Sequence, residues 1–366
     1  MTAHQSTPYL KLPDTAWWKR SVSGRAASAI NPHTAAGFTI ASTDKVASAG
    51  SCFAQRISEA LKEAGYGYLV TEPAPAFMTD EQARDCSYGV YSARYGNIYS
   101  SLQLLQLIQR AFDGFEPSEP LWRGKGGSYI DPFRPSVQPG GYFSEAECLW
   151  DRSTHLAAVR QMFQDLDIFI FTLGLTETWL CTADGAALPI CPGAGVGGEF
   201  DPARYQFHNF GVTEVVQHMS QFLERLHAIN SHAKVILTVS PVPLIATFEN
   251  RHVLQATVYS KSVLRVACEE LRRCFSNVEY FASYEIVTAS GDSKPYFEED
   301  RRGVTKAAVE HVIGCFKSQY MGGEPAAAPA PGPAASAPPA HDPTAPICDE
   351  DLILKALSAQ MSGETA

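Results

Sequence analysis

The nine cysteines form no CxxC pair, which speaks against a zinc ribbon. Their number is odd and the chain is long, so reduced thiols in a cytoplasmic setting are expected rather than a disulfide framework. No stretch of about 18 apolar residues occurs, so no membrane span is expected. Met1 to Lys19 lacks the apolar segment of a secretory signal, and none is expected. Basic residues are in deficit: the net charge is −10, which argues against nonspecific nucleic-acid binding and says nothing about fold. No HxxEH-like pattern or His/Asp cluster marks a metal site, and no P-loop or Rossmann glycine fingerprint marks a nucleotide cofactor.

What is present is the composition of a globular protein, 45% hydrophobic and 19% charged, enough to build a core. An irregular lead-in over 1–40 carries Trp17 and Trp18 as anchors onto that core. A main domain is expected over 41–320. Lys45-Val46-Ala47-Ser48-Ala49 reads as a strand running into Gly50-Ser51-Cys52. Phe53, Ile57, Ala60 and Leu61 then repeat at helical spacing, with Gly65 placed as a C-cap. The run 167–173 reads as a strand buried on both faces. The Gly- and Pro-rich stretch 180–210 reads as a long loop. An amphipathic helix over 212–226, a buried strand over 234–239, a helix over 252–275, a short strand over 278–281 and a last helix over 304–316 complete the series. This alternation implies a parallel sheet covered on both sides. Residues 321–347, mostly Ala and Pro, read as a linker unable to fold. The amphipathic stretch in 348–366 reads as a frayed helix or as a docking peptide for a partner protein.

In an open parallel sheet, ligands bind beyond the C-terminal ends of the strands. Three clusters fall at such ends: Gly50-Ser51-Cys52, Gly174-Leu175-Thr176-Glu177 and Ser240-Pro241-Val242-Pro243. Cys52 sits where a strand turns into a helix, whose N–H groups and dipole stabilise a thiolate and a developing oxyanion. The competing assignment is a buried small apolar side chain. Ser51 is the rival nucleophile or a turn residue. Glu177 orients a base, binds a sugar hydroxyl, or pairs with Arg94 or Arg134. Trp179 stacks on a sugar ring or packs against the long loop. Lys261 and Arg265, one helical turn apart, form a solvated face or an anion site for a phosphate or CoA.

Ala49-Gly50-Ser51-Cys52-Phe53-Ala54-Gln55 resembles the signature of the GSCFA family. Further matching segments begin at Tyr91 (Tyr-Ser-Ala-Arg-Tyr-Gly-Asn-Ile-Tyr), Asp131 (Asp-Pro-Phe-Arg-Pro), Phe171 (Phe-Thr-Leu-Gly-Leu-Thr-Glu-Thr-Trp), Thr238, Tyr259 and Tyr280, in order over roughly residues 15–318. That family resembles SGNH/GDSL-type esterases and related carbohydrate acyltransferases. The resemblance implies a flavodoxin-like, SGNH-type α/β three-layer sandwich with a mainly parallel sheet and long loop insertions. It matches Gly50 to the superfamily's motif glycine and Cys52 to its serine, with Gly96 (or Asn97) and Thr176 in the place of the oxyanion donors. The terminal Asp-x-x-His motif reads Asp300-Arg301-Arg302-Gly303 here, so the histidine is missing. Another must serve as base: His252 first, His208 second, with His311 inside the last helix. The implied activity is acyl transfer or ester hydrolysis on carbohydrate hydroxyls. No cofactor is required, and acyl-CoA is a donor by analogy only. The alternative is a noncatalytic carbohydrate- or partner-binding protein on the same scaffold.

Overall fold

The computed structural model describes residues 8–33, 35–288 and 296–322. The linker expected beyond Gly322 and the C-terminal helix expected at 348–366 lie outside the described residues. The described chain divides into two compact units, one formed by residues within 40–281 and the other by residues within 8–39 and 282–322.

The larger unit contains, in order, β1 (Val46–Gly50), α1 (Ala54–Glu63), α2 (Asp80–Asp85), α3 (Ser101–Phe112), β2 (Trp122–Arg123), β3 (Tyr129–Ile130), α4 (Glu145–Asp165), β4 (Ile168–Leu173), β5 (Glu177–Cys181), β6 (Ala187–Leu188), β7 (Tyr205–Asn209), α5 (Val212–Ile229), β8 (Lys234–Val239), α6 (Val253–Cys274) and β9 (Val278–Phe281). The central sheet runs β1-β4-β8-β9 and every pairing is parallel. β1 and β4 are buried at every residue, as continuous apolar runs flanked by helices should be. Beyond β1, Val46 makes a parallel bridge to Tyr68. α1 therefore leads the chain to one side of β1, whereas α4, α5 and α6 serve crossovers that advance to the other side. Right-handed crossovers place α1 on the opposite face of the sheet from those three. The protein is thus an α/β fold with a parallel sheet flanked by helices. On the second face Phe169 of β4 meets Phe163 of α4 at 5.6 Å and Phe222 of α5 at 5.7 Å between ring centroids. Phe171, two residues on, continues that face.

α1 closes as a Schellman motif: Tyr66 N donates to Leu61 O at 3.0 Å and Gly65 N to Lys62 O at 3.0 Å, with Gly65 at φ +73°. α2, α3 and α4 lie in a stretch where the sequence reading assigns no element. The reason is clear in α4, whose inward face carries Asp151, Arg152 and His155 between Cys148 and Phe163, so no apolar stripe repeats. The stretch 180–210 is not a simple loop. β5, β6 and β7 form a three-stranded antiparallel sheet in the order β6-β5-β7. With β2 and β3 it closes over a small core of Trp122, Ile130, Cys181, Leu188, Ile190 and Tyr205. The strands are short and separated by Gly- and Pro-rich connections, which hid their alternation.

The polar face of α4 belongs to a buried ionic cluster. Asp131 accepts from Arg134 Nε at 3.0 Å and Arg152 Nη2 at 2.9 Å. Asp151 accepts from Arg94 Nη1 and Arg134 Nη2, both at 2.8 Å, and from Tyr142 Oη at 2.7 Å. Glu72 accepts from the Arg94 backbone N–H and pairs with His155 Nδ1, each at 2.8 Å. Burial alone would raise the Asp131 carboxyl, but Arg134, Arg152 and Arg110 outweigh it and hold it far below the usual range. Burial and the nearby Arg134 charge lower His155 to about 4.

In the second unit, α7 (Ser283–Thr288) precedes α8 (Lys306–Tyr320). Thr305 caps α8 by accepting from Ala308 N at 3.3 Å. Phe316 and Phe38 both pack on Tyr320. Trp18 is 67% exposed, so it is not the buried anchor expected. Trp17 is half-buried against Tyr9 and Arg20. Among the described residues, no helix is long and apolar enough to cross a membrane.

Candidate active site

β1 ends in a conformation that only glycine tolerates. Gly50 has φ +141°, and a Cβ there would fall 2.4 Å from Thr172 O on β4. Its carbonyl accepts from Ile98 N at 2.9 Å. Ser51 N still donates across to Thr172 O at 3.2 Å, after which Ala54 N bonds Ser51 O at 2.8 Å and Gln55 N bonds Cys52 O at 3.2 Å. The chain therefore turns directly into α1. The N–H groups of Cys52 and Phe53 have no acceptor among the described residues, as expected at a helix start.

The three strand ends converge. Ser51, Cys52, Gly174, Ser240, Tyr99 and Lys261 line one cleft, with Leu175, Val242, Pro243 and Leu244 as its apolar wall. Cys52 is 8% exposed, and its Sγ has no hydrogen-bond partner among the described residues. Ser51 Oγ is buried and likewise unpaired, as is Thr172 Oγ1 behind it. Lys261, on α6, is 2% exposed and donates from Nζ to Gly174 O at 2.5 Å. This corrects the solvated face expected for Lys261. The residue lies on the inward stripe Lys261-Leu264-Cys268-Leu271, whose spacing of three and four was readable in the sequence. Arg265 instead pairs with Glu269 and stacks on Tyr280.

The other expected site residues lie elsewhere. Asn97 Oδ1 accepts from Tyr91 Oη at 2.7 Å, and that hydroxyl also reaches Ser51 O at 3.2 Å, so Asn97 braces the turn from behind. Gly96, at φ +67°, faces Val137. Neither lines the cleft. Thr176 has spent both donors, its N–H on Ser260 Oγ at 3.0 Å and its hydroxyl on Asn209 Oδ1 at 2.6 Å. Thr176, expected as an oxyanion donor, therefore holds both of its donors in bonds to Ser260 and Asn209 and does not line the cleft. Glu177 accepts from Thr247 Oγ1 at 2.6 Å and Phe248 N at 3.2 Å, and burial raises its carboxyl. Arg94 and Arg134, its expected partners, belong to the ionic cluster instead. Trp179 packs against Phe200, Phe207 and Phe248, with centroids 4.9–5.7 Å away.

No imidazole is among the described cleft-lining residues. His252 is exposed and caps α6, its Nδ1 accepting from Leu254 N at 3.1 Å. That nitrogen's lone pair is occupied, and His252, expected as the base, does not line the cleft. His208 Nε2 pairs with Glu214 Oε1 at 2.7 Å. In the second unit, His311 Nδ1 meets Tyr296 Oη at 2.8 Å, and Asp300 accepts from the N–H groups of Arg302 and Gly303 at 2.8 and 2.9 Å. Asp300 thus stabilises its own turn.

The model of the GSCFA family matches residues 45–316, and the chain belongs to that family. Among solved structures, a carbohydrate esterase family 3 protein from Talaromyces cellulolyticus overlays with TM-score 0.36 at 12% identity, covering 76% of this chain and 96% of its own. A carbohydrate esterase family 2 enzyme with a carbohydrate-binding domain, from Corynascus thermopiles (Myceliophthora fergusii), overlays with TM-score 0.23 at 14% identity, covering 43% and 38% respectively. No curated protein matches the sequence.

Proposed function

We propose that the chain transfers or hydrolyses an acyl group carried on a carbohydrate hydroxyl, with Cys52 as nucleophile and Lys261 as the proton acceptor. The observation that carries this reading is the cleft itself, where Cys52, its unpaired N–H and a buried lysine meet at the strand ends. In this reading Lys261 Nζ takes the Sγ proton. The thiolate adds to the acyl carbon, and the carbonyl π electrons move to its oxygen, which the Cys52 N–H holds. Collapse breaks the ester C–O bond, and the sugar oxygen leaves with the proton from Lys261. Water or a second hydroxyl then attacks the thioester and regenerates the thiol. An acyl thioester such as acyl-CoA is a compatible donor, because thiols exchange acyl groups with thioesters. Lys261 replaces the histidine that the Asp300 segment lacks.

The test is alkylation by iodoacetamide near neutral pH, followed cysteine by cysteine. Cys52 should outpace the exposed Cys274 by about tenfold or more, because a thiolate, not a thiol, reacts. Lys261→Met should remove that advantage, and Cys52→Ala should lower p-nitrophenyl acetate turnover roughly a hundredfold. A Cys52 rate no higher than that of Cys274 would favour the second reading, a noncatalytic carbohydrate-binding protein. Two observations support that alternative: the Lys261 amine is already bonded to Gly174 O, and the Trp179 cluster presents Phe248 at 67% exposure.

A further inference from the structure

Away from the cleft, a second pocket is lined by Arg110, His155, Arg134, Phe133, Gln103 and Tyr95, among others. The walls are fixed by bonds that point elsewhere. Gln103 Oε1 accepts from the Tyr99 and Ser100 N–H groups, and Arg134 is committed to Asp131 and Asp151.

Two wall groups are not committed. Arg110 is 8% exposed and makes no hydrogen bond or ion pair among the described residues; its Nη2 is buried and unpaired. The Phe133 ring lies 4.3 Å from its guanidinium carbon. A guanidinium brings five donors, and burial without acceptors is costly. His155 is fully buried and meets Glu72 Oε2 through Nδ1, while its Nε2 has no partner. A ring that donates from Nδ1 to a carboxylate presents Nε2 as an acceptor. The surrounding charge adds to this. In the cluster, Arg94, Arg134 and Arg152 are matched by Glu72, Asp131 and Asp151, and Arg110 is the fourth guanidinium without a carboxylate of its own.

We propose that this pocket binds a small oxyanion that also bears a hydroxyl, of the hydrogen-phosphate kind, with its charged oxygen on Arg110 and its O–H donated to His155 Nε2. The two unpaired groups are complementary to such a ligand in both charge and hydrogen-bond sense. Binding is independent of the chemistry assigned to Cys52, and either can fail without the other.

The test uses the full chain and inorganic phosphate, titrated by calorimetry near neutral pH at constant ionic strength set with chloride. Phosphate should bind, and sulfate, which has no hydroxyl at that pH, should bind at least about tenfold more weakly. Arg110→Met should weaken phosphate binding roughly ten- to a hundredfold, by loss of charge-assisted bonds. In chloride alone the same variant should melt no lower than the wild type, because the cost of burying the Arg110 charge outweighs its attraction to Asp131. Phosphate heats no larger than those of chloride dilution would overturn the proposal. So would sulfate binding as well as phosphate, or Arg110→Met leaving phosphate affinity unchanged. The phosphate-to-sulfate comparison needs only the wild-type chain and stands however the variant folds.

Discussion

Two polar regions of the larger unit treat their hydrogen bonds in opposite ways. In the ionic cluster, Asp131 and Asp151 each meet two guanidiniums, and Tyr142 adds a hydroxyl. In the strand-end cleft, Ser51 Oγ, Thr172 Oγ1, Cys52 Sγ and the Cys52 N–H have no partner among the described residues. Each unpaired buried group costs about 1–3 kcal/mol. The difference teaches where the molecule gains rigidity and where it keeps capacity for something from outside. Arg110 and His155 are the exception inside the saturated region, which is why they read as a ligand site.

The comparison can be broken most severely at Asp131. Asp131→Ala leaves Arg152 without its carboxylate and Arg134 with Asp151 alone, and urea unfolding should report a loss of about 3–5 kcal/mol. A loss below about 1 kcal/mol would mean that the cluster is better hydrated than its burial implies.

Acid should act on the same region. The unfolded chain protonates His155 near 6.5, whereas the folded chain does so at about 4. Between these values the unfolded state binds more protons, so stability should fall with falling pH by about 1.4 kcal/mol per unit. His155→Gln keeps a donor for Glu72 but does not titrate, and should flatten that slope. Asp131, Asp151 and Glu72 are all held below the carboxylate range, so their contribution is present above the unfolded carboxylate values and is lost only at lower pH.

In the cleft the effects should be smaller. Gly50→Ala forces a Cβ against Thr172 O, and chemical denaturation should show a cost of about 2–3 kcal/mol. Ser51→Ala removes an unpaired buried hydroxyl, and the midpoint should rise or stay within about 1 kcal/mol of wild type. A clear destabilisation would show that Ser51 Oγ has a partner after all, and the contrast between the regions would shrink.

The parallel core was legible because its strands are apolar throughout, as at Ile168 to Leu173, and because Gly50 and Gly65 stand where backbone geometry requires them. The convergence of Cys52, Gly174 and Ser240 followed from the same reading. Partnerships were harder. Arg94 and Arg134 could be placed near a carboxylate, but only the fold selects Asp131 and Asp151 over Glu177. Asp131 and Arg134 are separated by three residues within one turn, a local pairing that spacing alone could have raised. His252 follows the Ser240-Pro241-Val242-Pro243 strand end, which is what suggests it as a base. Its place at a helix start gave it a capping job instead. The charge of Lys261 suggests a solvated face, yet its neighbours at three, seven and ten residues are all apolar and place it inward.

Gly50 separates the mount from the side chain proposed as nucleophile. The backbone at residue 50 fixes where residue 52 stands, through close approach to Thr172 and the grip of Ile98 on the Gly50 carbonyl. An engineer could exchange the thiol at 52 for a hydroxyl or a selenol without redesigning its support, whereas almost any change two residues earlier would move the whole bracket.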